Sequence, residues 1–186
     1  MRDWSQGPRK YGGTMSIEWA EQFDIKNFSE RNPQGFCGFE KIVDLGNACC
    51  SVPTEAGVYM VLIPDATWQP VFHTSGEGDR VNNVTPQSVH ELERRWVHRA
   101  RIIYIGKAGG PQYKTTLKAR LQAYMRYGNG IKAAHRGGRS IWQMEKIEDC
   151  FVAWRVAPQD PKACEKILLQ KFNDIYKQLP FANRQR

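Results

Sequence analysis

Gly57-Val58-Tyr59-Met60-Val61-Leu62-Ile63 is an apolar, β-rich run bounded by Ala56-Gly57 and Pro64-Asp65, and it predicts a strand. Arg101-Ile102-Ile103-Tyr104-Ile105-Gly106 has the same character and ends in Lys107-Ala108-Gly109-Gly110-Pro111. A third strand is expected over 150–156. Three helices are expected around these runs. The first, over 85–98, has Thr85 as N-cap and Pro86 at the first helical position. The second covers 115–127 and is stopped by Gly128-Asn129-Gly130. The third is amphipathic, opened by Asp160-Pro161, running to about 179 and closed by Pro180. Further out the signals weaken: a loop at Gly76-Glu77-Gly78-Asp79, a short helix over 17–23, an edge strand within 36–45, and a polar stretch at 1–15. Strand, insert with helix, strand, helix, strand, helix is an α/β arrangement around a small sheet. The 186 residues suit one domain with an attached extension.

The charge is placed unevenly. The chain carries +8, yet 94–144 contains no Asp or Glu and holds twelve bases, leaving 15 bases against 19 acids elsewhere. Single-sign blocks mark interaction surfaces, and the partner that fits is a polyanion, most simply nucleic acid. Within the block, Lys114, Lys118, Arg126, Lys132, Arg136 and Arg139 are the expected DNA contacts. Interleaved aromatics, among them Trp96, Tyr113, Tyr127 and Trp142, either stack on bases or fill a core. In Gly137-Gly138-Arg139-Ser140-Ile141-Trp142-Gln143, Arg139 and Gln143 either touch phosphate and base edges or belong to a tight turn leading into a strand.

Other classes are poorly supported. The longest apolar run, 56–63, is about half the roughly 20 residues of a membrane-spanning helix. Met1-Arg2-Asp3-Trp4-Ser5-Gln6 has no apolar signal segment, so no membrane partner is expected. Five cysteines without a Cys-x-x-Cys pair, and scattered His73, His90, His98 and His135, argue against disulfides and zinc and point to a cytoplasmic setting. Gly106–Gly110 lacks the spacing of a nucleotide-binding P-loop.

Two features ask for chemistry. Glu165 precedes Leu168 and Leu169 by three and four positions, which puts it on the inward stripe of the last helix. An acid in the first turn suits the helix dipole, but a carboxylate on an apolar stripe wants a partner such as a hard cation. Arg120 and Tyr124 are one turn apart on the middle helix, either stacked on each other or offering a guanidinium to a phosphate.

Gly57-Val58-Tyr59 and Tyr104-Ile105-Gly106, the latter followed by Lys107, resemble the two signature tripeptides of the GIY-YIG nucleases. Leu117-Lys118-Ala119-Arg120-Leu121 resembles the arginine-bearing helix of that family, Glu165 its metal-binding glutamate, and Asn183 in Pro180-Phe181-Ala182-Asn183 its terminal asparagine. The ordered set covers residues from about 55 to 186. It departs from the family in having Val58 for Ile and in the long segment 60–103 between the tyrosine strands, usually a short connection. Tyr124 stands where some members have His, and so resembles the nucleotide-excision-repair incision nucleases.

The resemblance implies an α/β (α+β) fold: a small central antiparallel three-stranded sheet flanked by helices. Residues 1–54 become an N-terminal extension packing on the core, and 55–186 the nuclease domain with a helix-bearing insertion at 64–100. It implies a metal-dependent endonuclease acting on duplex or branched DNA, with one divalent ion, Mg2+ or Mn2+, on Glu165. Arg120 would neutralise a phosphate oxygen and Tyr59 would deprotonate the attacking water. A phenol with a pKa near 10 needs a nearby cation for that, and Lys107 is the candidate. Tyr104 and Tyr124 would orient water or phosphate, and Asn183 would fix a neighbouring group. Cutting both strands symmetrically would require a homodimer or sequential nicking. The alternative is a nucleic-acid-binding module with the same fold and no turnover.

Overall fold

Every residue of the strand Gly57–Leu62 is buried, as a continuous apolar run is when both faces of its sheet are covered. The computed structural model describes residues 17–133 and 137–183; the expected DNA contact Arg136 lies outside them, as do residues 1–16 of the expected extension. In chain order the elements are α1 (Glu18–Gln22), β1 (Cys37–Lys41), α2 (Ile42–Leu45), β2 (Gly57–Leu62), α3 (Glu77–Val81), α4 (Val89–Arg95), β3 (Ile102–Ala108), α5 (Leu117–Gly128), β4 (Phe151–Val156) and α6 (Pro161–Tyr176). Two 3₁₀ turns, Arg139–Gln143 and Ile147–Asp149, lie between α5 and β4.

The architecture is mixed α+β around an antiparallel sheet of order β1-β4-β2-β3. This corrects the expected strand count from three to four. The added strand, β1, comes from the segment with the weak edge-strand signal. A bulge between Gly38 and Glu40 leaves Phe39 at φ +57°, and that break in the pleat is why no alternation is visible there.

Alternation along β2 divides the interior into two layers. Tyr59 and Val61 face Leu117, Leu121 and Tyr124 of α5, whereas Val58, Met60 and Leu62 face Cys164, Leu168 and Phe172 of α6. Burying a Leu or Phe side chain of this kind contributes about 1.5–3 kcal/mol. The β2–β3 register shifts at Val61/Leu62, so consecutive Ile103 and Tyr104 both enter the α5 layer. On the α6 side, Phe23, Phe28 and Phe36 cluster with ring centroids 5.0–5.4 Å apart. The described part of the extension therefore covers one face of the sheet and also supplies β1 to it.

Helix ends follow their caps. Thr116 accepts from Ala119 N at 3.1 Å and starts α5, and Asp160 accepts from Ala163 N at 2.8 Å and starts α6. α6 stops at Tyr176, before the expected 179, because Lys177 turns left-handed at φ +60°. The insertion helix is shorter than expected, Val89–Arg95 capped by Ser88 rather than Thr85. Gln87 cannot join it, because Gln87 N donates to Gln143 Oε1 and Gln87 O accepts from Gln143 Nε2. The expected loop at 76–79 instead opens α3, where the Asp79 carboxylate accepts from Gly76 N at 3.3 Å. No helix among the described residues is long and apolar enough to cross a membrane.

Candidate functional site

The β2–β3 register sets Tyr59 directly opposite Gly106. The phenol ring lies across that glycine: a Cβ at 106 would stand 2.6 Å from Tyr59 Cζ and 2.8 Å from Tyr59 Oη. Any larger residue would expel the ring. Tyr104, two residues earlier on the same face of β3, meets Tyr59 edge-on at 5.8 Å between centroids. Tyr124 of α5 continues the row, 6.1 Å from Tyr104. All three rings are buried.

Gly137-Gly138 runs over the hydroxyl ends of this row. A Cβ at 137 would lie 2.3 Å from Tyr104 Oη, and Gly138 adopts φ +69° while its carbonyl accepts from Tyr124 Oη at 2.9 Å. The paired glycines thus serve close backbone approach to the tyrosines. The turn leads into a 3₁₀ segment with Trp142 buried, not into the expected strand.

The electrostatics tie distant parts of the chain together. Burial pushes the Tyr59 phenol up, the Arg120 guanidinium pulls it down, and the Glu165 carboxylate raises it further. Tyr104 is held well above the usual phenol range by burial first, then by Tyr59, with Arg120 opposing and Glu165 adding to the rise. Tyr124 is also well above, again mainly through burial. The phenols of Tyr59 on β2 and Tyr104 on β3 therefore both feel the charges of Arg120 on α5 and Glu165 on α6. Tyr59 Oη and Arg120 Nε are both buried without a hydrogen-bond partner among the described residues. Such orphans are uncommon in folded proteins, and two belonging to neighbouring groups leave hydrogen-bonding capacity unspent in one place.

Arg120 also borders a cleft of about 220 Å³ whose other walls are Lys107, Ala108, Gly109, Tyr113 and Thr115. Its rim is cationic, with Lys107 Nζ 5.6 Å from the centre of the Tyr113 ring. Glu165 lies one turn into α6, at the margin of the buried stripe Cys164–Leu168–Phe172 rather than on its centre line. Asn183 is bound to the outer edge of β3, its carboxamide paired with both backbone groups of Ile105.

The expected DNA contacts divide. Lys114, Arg126 and Lys132 are exposed and Lys118 is half-buried. Gln143 is a correction: it is 2% exposed, and its amide is spent on Gln87 and on His73 O, so it cannot reach a base edge. Arg139 is half-buried, its Nε without a partner among the described residues, and near enough to Tyr127 to moderate a phenol that burial and Asp79 push up to about 12.

Two features went unread in the sequence. Gln87 accepts from both Arg95 Nη1 (2.9 Å) and Ser140 Oγ (2.5 Å), joining the insertion to the Gly138 turn. Asp79, 4% exposed, accepts from the Tyr127 hydroxyl. Neither has a local pattern, since each depends on pairing between residues far apart in the chain. Among the described residues no group of three or more His, Cys, Asp or Glu side chains could hold a metal ion. No protein-family model, curated protein or solved structure matches the chain.

Proposed function

We propose that this chain is a GIY-YIG-type endonuclease that hydrolyses DNA phosphodiester bonds with the help of one divalent ion. The observation that supports it most is the pair of buried atoms Tyr59 Oη and Arg120 Nε, unpartnered among the described residues, with the Tyr59 phenol feeling the charges of Arg120 and Glu165.

The donor set fits a magnesium or manganese ion. Such ions need only one or two protein carboxylates when waters and substrate phosphates complete the shell, and Glu165 is one such carboxylate. Bound there, the ion would neutralise charge on the phosphate and on the departing oxygen. Arg120 donates through Nε to a non-bridging phosphate oxygen, which supplies its missing partner, and Lys107 adds a second positive charge on the cleft wall. Tyr59, as phenolate, takes a proton from the water whose oxygen bonds to phosphorus. The P–O3′ bond breaks as that bond forms, the 3′ oxygen takes a proton from solvent, and Tyr59 returns its own to solvent. Burial opposes the phenolate, so the Arg120 charge is a condition of the step. Tyr104 and Tyr124 are positioning residues, holding the Tyr59 ring and the Gly138 turn.

The acid-free block on β3 and α5 supplies the DNA surface through Lys114, Lys118, Arg126 and Lys132, on duplex or branched DNA. The setting is cytoplasmic, and a homodimer would bring a second site to the opposite strand. One observation favours the second reading, a nucleic-acid-binding module without turnover: Tyr59, Tyr104 and Tyr124 are all buried, and each phenol is raised.

Supercoiled plasmid separates the two. The endonuclease reading expects nicking with magnesium, none with a chelator, and loss of nicking in Glu165→Ala with DNA affinity largely kept. Salt-sensitive binding without cleavage of duplex, single-stranded or branched DNA selects the second reading. Cleavage by Glu165→Ala at the wild-type rate removes the metal role.

A further inference from the structure

Tyr113 is 63% exposed, the one Phe, Trp or Tyr ring among the described residues that stands exposed, and it lines the Arg120 cleft. A single exposed aromatic is ordinary; this one is held and placed. Tyr113 N donates to Gly110 O at 3.0 Å, closing a tight turn directly after β3. That turn sets the residue beside Lys107, whose ammonium lies 5.6 Å from the ring centre, and most of the side chain remains exposed. No acid lies anywhere from 94 to 144, so the residues that line this cleft include bases and no carboxylate.

We infer that Tyr113 is a stacking platform for one unpaired nucleotide next to the cleft, and hence that the preferred substrate is DNA with an unpaired base at the cut site: a flap, a frayed end or a single strand. The inference rests on the endonuclease reading and narrows it. The cleft of about 220 Å³, walled by Lys107, Thr115 and Arg120, takes a phosphate with part of its sugar and leaves the attached base outside, against the ring. Arg120 Nε and Lys107 Nζ then meet the phosphate while the phenol meets the base. Within a duplex each base is paired and held in the stack, so only an unpaired base can swing onto the platform.

The test is equilibrium binding in chelator, by fluorescence anisotropy, of three labelled DNAs: a blunt duplex, the same duplex with a short flap, and a single strand. A stacked base contributes about 1–3 kcal/mol by alanine substitution. Tyr113→Ala is therefore expected to weaken the flapped and single-stranded DNAs roughly five- to 150-fold, with blunt duplex unchanged within about twofold. Tyr113→Trp should keep or strengthen the preference, and a 2-aminopurine at the flap junction should lose fluorescence on wild type and less on Tyr113→Ala. Equal weakening of all three DNAs by Tyr113→Ala, or of none, overturns the inference while leaving the endonuclease reading standing. If wild type binds none of the three, that reading falls and the inference falls with it.

Discussion

The carboxamide of Asn183 takes the place of a strand residue beside Ile105: Oδ1 accepts from Ile105 N at 2.9 Å and Nδ2 donates to Ile105 O at 2.8 Å. β3 is the outer strand of the sheet, and these two bonds satisfy groups that an open edge would leave unpaired. Arg95 Nη2 holds the segment in place through Phe181 O at 2.6 Å and Asn183 O at 2.8 Å. Ile105 separates Tyr104 from Gly106, so the pairing fixes the part of β3 that carries the tyrosine row. Asn183→Ala should lower the urea midpoint by an amount equivalent to about 1–3 kcal/mol, with an unchanged m-value. Faster hydrogen exchange should be concentrated at the Ile105 amide. An Ile105 amide that exchanges at the wild-type rate would show that the carboxamide does not hold this edge.

Tyr59 Oη is buried and without a hydrogen-bond partner among the described residues, and an unsatisfied buried hydroxyl costs about 1–3 kcal/mol. Tyr59→Phe removes the hydroxyl and keeps the ring over Gly106. The urea midpoint is therefore expected to rise or stay level, while cleavage falls about 10²–10⁴-fold, the range for losing a general base. Stability and activity moving in opposite directions is the signature of a group kept for function at a cost to the fold. A clear drop in midpoint for Tyr59→Phe would mean that the hydroxyl is satisfied in solution.

The elements that carry this site are legible because each has a local cause. Apolar runs give β2 and β3, Thr116 and Asp160 give the starts of α5 and α6, and the tripeptides locate Tyr59 and Tyr104. What cannot be read is what depends on pairing across the chain. Gln143 looks like a base-reading residue beside Arg139, yet its amide completes the backbone of Gln87, 56 positions away. The same contact removes Gln87 from the insertion helix. β1 hides behind a bulge at Phe39, and Asp79, which opens a helix where the sequence suggests a Gly-rich loop, is held in the interior by a bond from Tyr127 of α5.

The phenols also set an alkaline limit. Tyr127 is pushed up to about 12 by burial and by its bond to Asp79, against an ordinary value near 10 in the unfolded chain. Between pH 10 and about 12 the unfolded state has lost a proton that the folded state keeps, so stability falls as pH rises. Below pH 10 this contribution is fully present. Tyr59, Tyr104 and Tyr124 are raised as well and steepen the same fall. Urea midpoints measured between pH 8 and 11.5 should be level at first and then decline. Tyr127→Phe should have a lower midpoint at pH 8, because Asp79 loses its donor, and a shallower decline above pH 10. An identical alkaline slope in the variant would remove Tyr127 from the account.

Gly106 and Tyr59 should be energetically coupled, since the ring occupies the volume that a side chain at 106 would need. Gly106→Ala alone brings Cβ to 2.6 Å from Tyr59 Cζ and to 2.9 Å from Tyr104 Cε1, and both rings are packed too tightly to move away freely. Overpacking of this kind costs about 1–3 kcal/mol or more. In a Tyr59→Ala background the added methyl enters space that the lost ring has vacated, and the same substitution should cost little. The double-mutant cycle is thus expected to return a coupling of about 0.5–3 kcal/mol, the range for residues in contact, with the sign that makes the double variant more stable than the sum of its parts. Chemical denaturation of the four proteins measures it directly. Additive effects would mean that the Tyr59 ring does not lie on Gly106, and the row from Tyr59 through Tyr104 to Tyr124 would then lose its first member.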